Sequence, residues 1–195
     1  MSASAAPAMR TELNMFTNNR YQPKRCLRGL LALALLASGC ASLPMRKRDV
    51  PFHPQTRRNH CGVNCLAMAF DYFSIPYTQD TLAAQAFVPA LDGSTPELLA
   101  DVAEEYGLSA TIQELQADVI AQALRSEGLP IVFLPPAGDE TVGHFILVTG
   151  AAGDPHRIRA HDGMHPHRRQ RLAANATYRT ILLAPNEKDT DEKND

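Results

Sequence analysis

An apolar stretch of the sequence follows Cys61 and continues to Phe73. After Gly62, only Asn64 and Asp71 interrupt it. A surface helix shows polar residues along one face, whereas this stretch is apolar almost all round. It therefore predicts a helix that is buried on nearly every side and around which the remaining elements must pack.

Cys61 stands at the predicted first turn of that helix, and Gln55 precedes it by six positions. The free backbone N–H groups and the positive end of the helix dipole at such a position lower the pKa of a thiol and make its sulfur nucleophilic. A side-chain amide and the backbone N–H of the nucleophile can together stabilise the oxyanion of a tetrahedral intermediate. The spacing of Gln55 and Cys61 therefore predicts a cysteine hydrolase.

A thiolate nucleophile needs a base, and the base needs a group that orients it. His144 opens an apolar segment directly after Gly143, and Asp162 follows the next predicted strand. If these strands pair as a hairpin, both residues come to the same sheet end, where the Asp162 carboxylate can accept from the imidazole. The alternative is a histidine without chemistry, because the sequence holds seven histidines. Together with Gln55 and Cys61, His144 is predicted to be the catalytic base.

The N-terminal residues carry the pattern of a secretory signal. Basic residues precede the apolar run 30–37, which is shorter than the roughly 20 residues that a membrane-spanning helix needs. The segment 37–40, Ala-Ser-Gly-Cys, resembles the lipobox of bacterial lipoproteins. The resemblance implies cleavage before Cys40, acylation of its sulfur, and sorting to an outer membrane facing the periplasm, because Ala41 rather than Asp follows. The alternative is an ordinary signal peptide with a chance cysteine, and Met15 is a second candidate start.

These features divide the chain into four parts. They are a signal peptide of the lipoprotein type over 1–39, a lipid-anchored tether over 40–54, one domain over 55–185 and a disordered acidic tail over 186–195. The central part holds about 130 residues, the size of one ordinary domain. The net charge of −2 lacks the basic footprint of a nucleic-acid-binding protein, so nucleic acid is not an expected partner.

Cysteine usage excludes a disulfide scaffold, because Cys26 lies in the signal and Cys40 is the lipid site, which leaves Cys61 and Cys65. Cys65 lies one helical turn beyond Cys61 and is interpreted as a small buried hydrophobic residue. A metal site that includes both cysteines and His144 would still need a fourth ligand. We therefore expect neither a metal nor a cofactor.

Helix signals come early in the domain and strand signals come late. Thr78 is expected to cap a helix that ends near residue 87, and Ser94 or Thr95 to cap a second that begins at Pro96. Strands are predicted at 108–112, 131–134, 144–149, 156–160 and 180–184, with a further helix at 117–126 and a turn at 153–155. The order predicts an α+β domain with a mainly antiparallel sheet. The His- and Arg-rich segment 161–171 is interpreted as a solvated rim loop rather than a site for metal or acidic peptide.

Four segments carry a resemblance to a known family. Q-x5-C-G-V-x-x-L-A-M begins at Gln55, G-S-T-P-E-L-L at Gly93, G-H-F-I-L-V at Gly143 and R-A-H-D-G at Arg159. Over residues 55–183 the chain resembles the double-glycine leader peptidases, bacteriocin-processing cysteine peptidases with a papain-like fold. The resemblance implies that Gln55 binds the oxyanion, that Cys61 is the nucleophile, that His144 is general base and acid, and that Asp162 orients it.

Three positions depart from that family. His60 stands where Asp is usual, and both Val63 and Gly163 stand where Pro is usual. His60 replaces a charged neighbour of the nucleophile with a titratable one. The best-known members also carry a membrane transporter and an ATPase, but this sequence has no G-x-x-x-x-G-K motif and no further apolar run of membrane-spanning length.

A stand-alone, lipid-anchored peptidase that acts on an envelope peptide or protein is therefore expected, with cleavage after Gly-Gly as one possible specificity. Its oligomeric state is left open. Two rivals remain at this point. One is a peptide-binding module that kept the fold and lost turnover. The other is an envelope amidase or transpeptidase that uses the same cysteine and histidine.

Overall fold

The structure, a computed structural model, describes residues 47–186 apart from 127, 139, 140 and 152. The predicted signal peptide, the lipid site at Cys40 and the tail beyond 186 lie outside the described residues. No helix within the described part of the chain is long and apolar enough to cross a membrane.

The helix predicted after Cys61 is present and forms the centre of the fold. It spans Cys61–Tyr72 (α1), and all of its residues from Cys61 to Phe70 are buried. The side chains of Leu66 and Met68 are fully enclosed. Polar interruptions do not break this pattern, because the Asn64 amide donates to the His53 carbonyl at 2.7 Å.

Three further α-helices are described, α2 (Gln79–Ala86), α3 (Pro96–Glu105) and α4 (Ala117–Ala123). The Thr78 hydroxyl caps α2, and the Thr95 hydroxyl caps α3 with Pro96 at its first position. Ser94 is not the cap, since its hydroxyl donates to the Ala86 carbonyl and so joins the start of α3 to the end of α2. The helix α4 is shorter than expected, because the chain turns at 124–126.

The six strands of the described residues form one sheet in the order β1-β6-β2-β3-β4-β5. They are β1 (Leu108–Gln116), β2 (Leu129–Leu134), β3 (His144–Ala151), β4 (Arg157–His161), β5 (Arg168–Arg171) and β6 (Thr177–Pro185). Every neighbouring pair is antiparallel. The expected α+β domain with early helices and a late antiparallel sheet is therefore confirmed.

The sheet differs from the sequence prediction at its two edges. The strands β1 and β6 pair over nine residues, from Leu108↔Pro185 to Gln116↔Thr177, although half of β1 is polar. The interpretation of 161–171 as a solvated loop is wrong, because His161 is fully buried at the end of β4 and Arg168–Arg171 pairs with β4. The sequence of β5 is entirely polar, so its backbone pairing leaves no apolar alternation by which to find it.

The sheet buries a core on each face. The helices α1, α2 and α3 cover one face of the sheet. Ile131, Leu147 and Ile181 of the sheet belong to the core on that face. On the other face, Ile146 and Val148 pack with Ile120 of α4. Side chains alternate between the faces along each strand, so β3 contributes to both cores. The strand that begins at His144 is therefore held rigidly from both sides.

The described end of the predicted tether is bound to the domain rather than free. Lys47 forms a bridge with Gly150 on β3, and Val50 is buried. The Arg48 guanidinium donates to the Tyr72 hydroxyl and to the carbonyls that follow α4. The packed part of the chain therefore begins near Lys47, several residues before the predicted domain boundary.

We expect Gly62→Ala to lower the free energy of unfolding by about 1–3 kcal/mol, the usual effect of overpacking a core. A Cβ at Gly62 would lie 2.9 Å from both Leu99 Cδ1 and Ser94 Cβ, so α1 and α3 would have to move apart. Denaturant titration measures the change. Gly153→Ala is the matched control, because a Cβ there meets nothing within 4 Å. Equal effects of the two substitutions would contradict the prediction.

Candidate active site

Cys61 is the first residue of α1, and only 8% of it is exposed. Its Sγ accepts a hydrogen bond from the backbone N–H of Phe145 on β3 at 3.5 Å. The first turn of α1 holds no acidic residue, and the side chain of His60 makes no capping bond. The positive end of the helix dipole therefore acts on the sulfur without an acidic residue in the same turn to neutralise it.

His144 is the first residue of β3, directly before the strand residue whose N–H reaches Sγ. Its Nε2 lies 2.9 Å from the backbone carbonyl oxygen of Asp162. A carbonyl only accepts, so Nε2 carries the hydrogen and Nδ1 is left for the sulfur. Packing of α1 on β3 thus brings Cys61 and His144 together, as their sequence pattern predicted.

The two groups shift each other's pKa. Burial alone would raise the pKa of the Cys61 thiol, but hydrogen bonding with His144 and with the N–H groups of Phe145 and Gly62 outweighs it, so the pKa is lowered. Hydrogen bonding to Cys61 raises the pKa of His144 against the effect of burial. Both shifts favour a thiolate beside an imidazolium. The pair has the electrostatics of an activated nucleophile.

Asp162 reaches His144 through its backbone and not, as the sequence suggested, through its carboxylate. The carboxylate accepts from the N–H groups of Met164 and His165 at 2.9 and 2.6 Å and from the Arg168 guanidinium at 2.8 Å. These bonds, led by the one from Arg168, hold the pKa of Asp162 below its usual value although burial opposes them. The carboxylate therefore builds the turn that aims the carbonyl at His144.

Gln55 lies against that turn. Its backbone N–H donates to the Gly163 carbonyl at 2.7 Å, and its side-chain amide donates to the Arg57 carbonyl at 2.9 Å. Gly163 has a φ of +79°, and a Cβ there would lie 2.9 Å from Gln55 Oε1. Proline cannot adopt this φ, so glycine at this position has a structural reason. The structure thus joins Gln55 to the Asp162 turn and, through Arg57, to the segment before Cys61.

Two residues near the nucleophile, His60 and Cys65, are held by packing against other side chains. His60 stacks on Phe87 with 4.3 Å between ring centroids, and burial, followed by the charge of Arg57, lowers its pKa. It is therefore neutral near pH 7. Cys65 is fully buried as a free thiol, and burial raises its pKa well above the usual value. This confirms Cys65 as a core residue.

A cleft of about 300 Å³ opens beside Cys61. Its walls include the aromatic rings of Phe133 and Phe145, and two large apolar side chains stand at its rim, Leu91 with 60% and Val142 with 46% exposure. Sequence patterns did not identify these rim residues, because Leu91 ends a 3₁₀ helix of only three residues (Pro89–Leu91) and Val142 lies in a loop. In the part of the chain that the structure describes, no three His, Cys, Asp or Glu residues are grouped as metal ligands.

Comparison with known proteins gives this arrangement a family. The model of the Peptidase C39 family matches residues 49–188. The chain belongs to the Peptidase C39 family. C39 proteins are cysteine peptidases, so the hydrolase predicted from Gln55 and Cys61 agrees with the family. Among curated proteins, none matches the C39 chain.

Two solved structures have a similar fold. One is a double glycine motif protease from an AMS/PCAT transporter in complex with the leader peptide, with 19% identity and a TM-score of 0.58 over 72% of this chain and 94% of that one. The other is the peptidase domain of Streptococcus ComA, a bi-functional ABC transporter involved in a quorum sensing pathway. It has 14% identity and a TM-score of 0.53 over 68% of this chain and 96% of that one. The expected papain-like fold is therefore confirmed.

We expect Asp162→Asn and Asp162→Ala to separate the two roles of this residue. The Asn amide oxygen can still accept from the N–H groups of Met164 and His165, so the turn and the pKa of Cys61 should change little. The Ala variant leaves both N–H groups without their acceptor and should lose roughly 1–3 kcal/mol of unfolding free energy. Thermal unfolding and the pH profile of Cys61 alkylation measure the two effects.

The result that would contradict this assignment is a rise of the Cys61 pKa in Asp162→Asn as large as in His144→Ala. It would mean that the carboxylate, rather than the carbonyl, orients the imidazole.

Proposed function

We propose that this C39 chain is a lipid-anchored cysteine peptidase of the cell envelope. It cleaves a peptide bond that follows Gly-Gly in an extended peptide or protein segment. The observation that carries the proposal is the pairing of Cys61 with His144 at the open cleft, with their pKa values moved toward each other. A binding module without turnover has no need for that pairing.

The proposed reaction begins with the Cys61 thiolate. The sulfur attacks the carbonyl carbon of the scissile peptide bond and forms a C–S bond, while the carbonyl oxygen takes up the negative charge. The His144 imidazolium then gives its proton to the leaving amine as the C–N bond breaks. Neutral His144 next removes a proton from water, which attacks the thioester, releases the carboxylic acid and restores the thiolate.

The oxyanion needs donors that are in place before the reaction. The backbone N–H of Cys61 belongs to the first turn of α1, where N–H groups have no partner within the helix. Gln55 is the second proposed donor. Its amide uses one hydrogen on the Arg57 carbonyl, which fixes the side chain and leaves the other hydrogen for the substrate.

The cleft favours a substrate that is small next to the scissile bond and apolar farther away. The rings of Phe133 and Phe145 stand 5.0 Å apart beside the nucleophile, and Gly143 has no space for a Cβ because Phe133 occupies it. These walls suit glycine residues, which add no side chain. Leu91 and Val142 at the rim suit aliphatic side chains of the same peptide. The similar double glycine motif protease was solved with a leader peptide, which supports this substrate class.

The envelope location rests on the sequence. The apolar run 30–37 with its basic flank and the Ala-Ser-Gly-Cys segment support export and acylation at Cys40. An acylated chain of this kind faces the periplasm, so an exported peptide or an envelope protein is the proposed substrate. Two or more acyl chains hold a protein stably on a membrane without a spanning helix.

We expect His144→Ala to shift the alkylation profile of Cys61 upward toward the pKa of about 8.5 of a free cysteine. The wild-type thiol should already react rapidly near about pH 6, because the imidazolium stabilises its thiolate. Hydrolysis of a fluorogenic peptide with Gly-Gly before the scissile bond should fall by about 10²–10⁴, the usual contribution of a general base. Iodoacetamide kinetics and fluorescence measure the two quantities.

Cys65→Ala is the matched control, since it removes the other described thiol and should keep both the profile and the turnover. Unchanged alkylation and hydrolysis in His144→Ala would show that Cys61 and His144 are not partners. Labelling of Cys61 without hydrolysis of any peptide would favour the binding module. Turnover confined to an amide outside a peptide chain would favour the amidase. Equal cleavage of an Ala-Ala peptide would remove the Gly-Gly specificity.

We expect Cys40→Ala to abolish incorporation of labelled palmitate and to move the protein from the membrane fraction to the soluble fraction. The reason is that the cysteine sulfur is the attachment point of the proposed anchor. A Cys26→Ala control should leave both properties unchanged. Wild-type protein that stays on the membrane without taking up label would contradict acylation.

A further inference from the structure

A patch of four arginines lies on one face of the β4–β5 hairpin. Arg157 stands opposite Arg171, and Arg159 stands opposite Arg169, in the register of the two strands. Alternation along a strand puts these four side chains on the same side of the sheet. We call Arg157, Arg159, Arg169 and Arg171 the arginine patch.

The charges of this patch are only partly neutralised. One carboxylate, that of Asp154, lies 3.5 Å from Arg157 and 3.9 Å from Arg171. Both arginine side chains remain 65% exposed. Arg159 and Arg169 have no acidic partner among the residues that the structure describes. Like charges placed directly opposite each other destabilise a sheet, so folding alone does not favour this arrangement.

Protection of a sheet edge accounts for only half of the patch. Charged residues on an edge strand prevent pairing with another chain, and β5 is an edge strand. That explains Arg169 and Arg171. The strand β4 lies between β3 and β5, so Arg157 and Arg159 need another reason. Four positive side chains over two strands match a surface of negative charge.

The start of the described chain lies beside the patch. Lys47 forms a bridge with Gly150, and Gly150 pairs with Arg159 across β3 and β4. Burial is the largest cause of the lowered pKa of His167; the charges of Lys47 and Arg159 lower it further, and the charge of Asp49 opposes them. Two positive charges and one negative charge therefore act on this side chain. Lys47 thus extends the positive surface toward the N-terminal segment.

The proposed lipid site is close to this surface along the chain. Cys40 precedes Lys47 by seven residues, and seven residues span at most about 25 Å when fully extended. An acyl group on Cys40 therefore holds the patch near the headgroups of the same membrane. The bacterial envelope membranes contain anionic phospholipid, which attracts basic residues near their surface.

The cleft lies at the other end of β4. Asp162, which holds His144, follows Arg157 by five residues and Arg159 by three, or about 17 Å and about 10 Å at roughly 3.4 Å per residue of antiparallel strand. A membrane bound at the patch therefore contacts the hairpin about 10 Å or more along β4 from Asp162.

We propose that the arginine patch binds the anionic phospholipid headgroups of the membrane that carries the protein and so fixes the orientation of the cleft above it. The proposed orientation of the cleft rests on the proposed lipid anchor at Cys40. Binding of the headgroups depends on the arginine patch alone. The occupant is a lipid surface rather than an acidic substrate, because the patch adjoins the anchored segment and not the cleft.

The test uses the segment Ser42–Asp195, which forms one compact unit and lacks Cys40, so acylation plays no part. Sedimentation with vesicles measures binding to 30% phosphatidylglycerol in phosphatidylcholine, compared with phosphatidylcholine alone. An arginine near an anionic surface changes the partition coefficient roughly fivefold, so Arg159→Gln with Arg169→Gln should weaken binding about 25-fold. Raising the salt should weaken the wild type in the same way.

The matched control is Arg57→Gln with Arg179→Gln, which removes the same charge from exposed ion pairs with Asp80 and Glu97. It should retain binding within about fivefold. Equal weakening by both double variants would show that net charge, not the patch, is recognised. Absence of wild-type binding to the anionic vesicles would overturn the proposal.

A third outcome separates the lipid from an acidic substrate. If the patch variant keeps vesicle binding but raises KM for a peptide with acidic flanking residues, the patch serves the substrate and the proposal is wrong. Loss of vesicle binding with unchanged hydrolysis of a neutral peptide supports it. Neither result depends on palmitate labelling, so failure of the anchor and failure of the patch are distinguishable.

Discussion

The candidate site depends on the contact between the N-terminus of α1 and the first residues of β3. The Phe145 N–H reaches Cys61 Sγ, and His144 stands one residue earlier on the same strand. This contact is possible because α1 is apolar on nearly every side and β3 is buried on both faces. Packing density in such a core leaves little freedom for either element to move. The reactive groups thus gain their geometry from hydrophobic burial and their charge state from each other.

Much of this fold was predictable from the sequence because the deciding signals were local. The apolar run after Cys61, the Thr95-Pro96 cap and the buried strand after Gly143 each follow from burial or from backbone geometry. The edge strand β5 was not predictable, since its stability comes from backbone hydrogen bonds to β4 and its arginines read as a solvated loop. The full length of β1 was missed for a related reason. Its polar half pairs with β6 over residues that carry little apolar signal.

The structure brings Cys61, His144 and Asp162 together, and Asp162 contacts His144 through its carbonyl oxygen rather than through the carboxylate that the sequence suggested. Sequence shows which residue type stands at a strand end, but not whether its side chain or its carbonyl faces the neighbour. That choice depends on the turn after β4, where Gly163 takes a positive φ and Met164 and His165 turn their N–H groups to the carboxylate. The backbone N–H of Gln55 donates to the Gly163 carbonyl of the same turn, so the segment before Cys61 and the turn after β4 are joined by hydrogen bonds.

The hydrogen bond from His144 Nε2 to a peptide carbonyl has a further consequence. A carboxylate in that position would become protonated in acid and would then cease to fix the direction of the ring, whereas a carbonyl does not titrate in this range. The ring's orientation therefore depends on the Asp162 carboxylate only through the turn that this carboxylate builds. Hydrogen bonding with Arg168 and with the two N–H groups lowers the pKa of Asp162 against the effect of burial, so the turn persists to lower pH than an ordinary aspartate would allow.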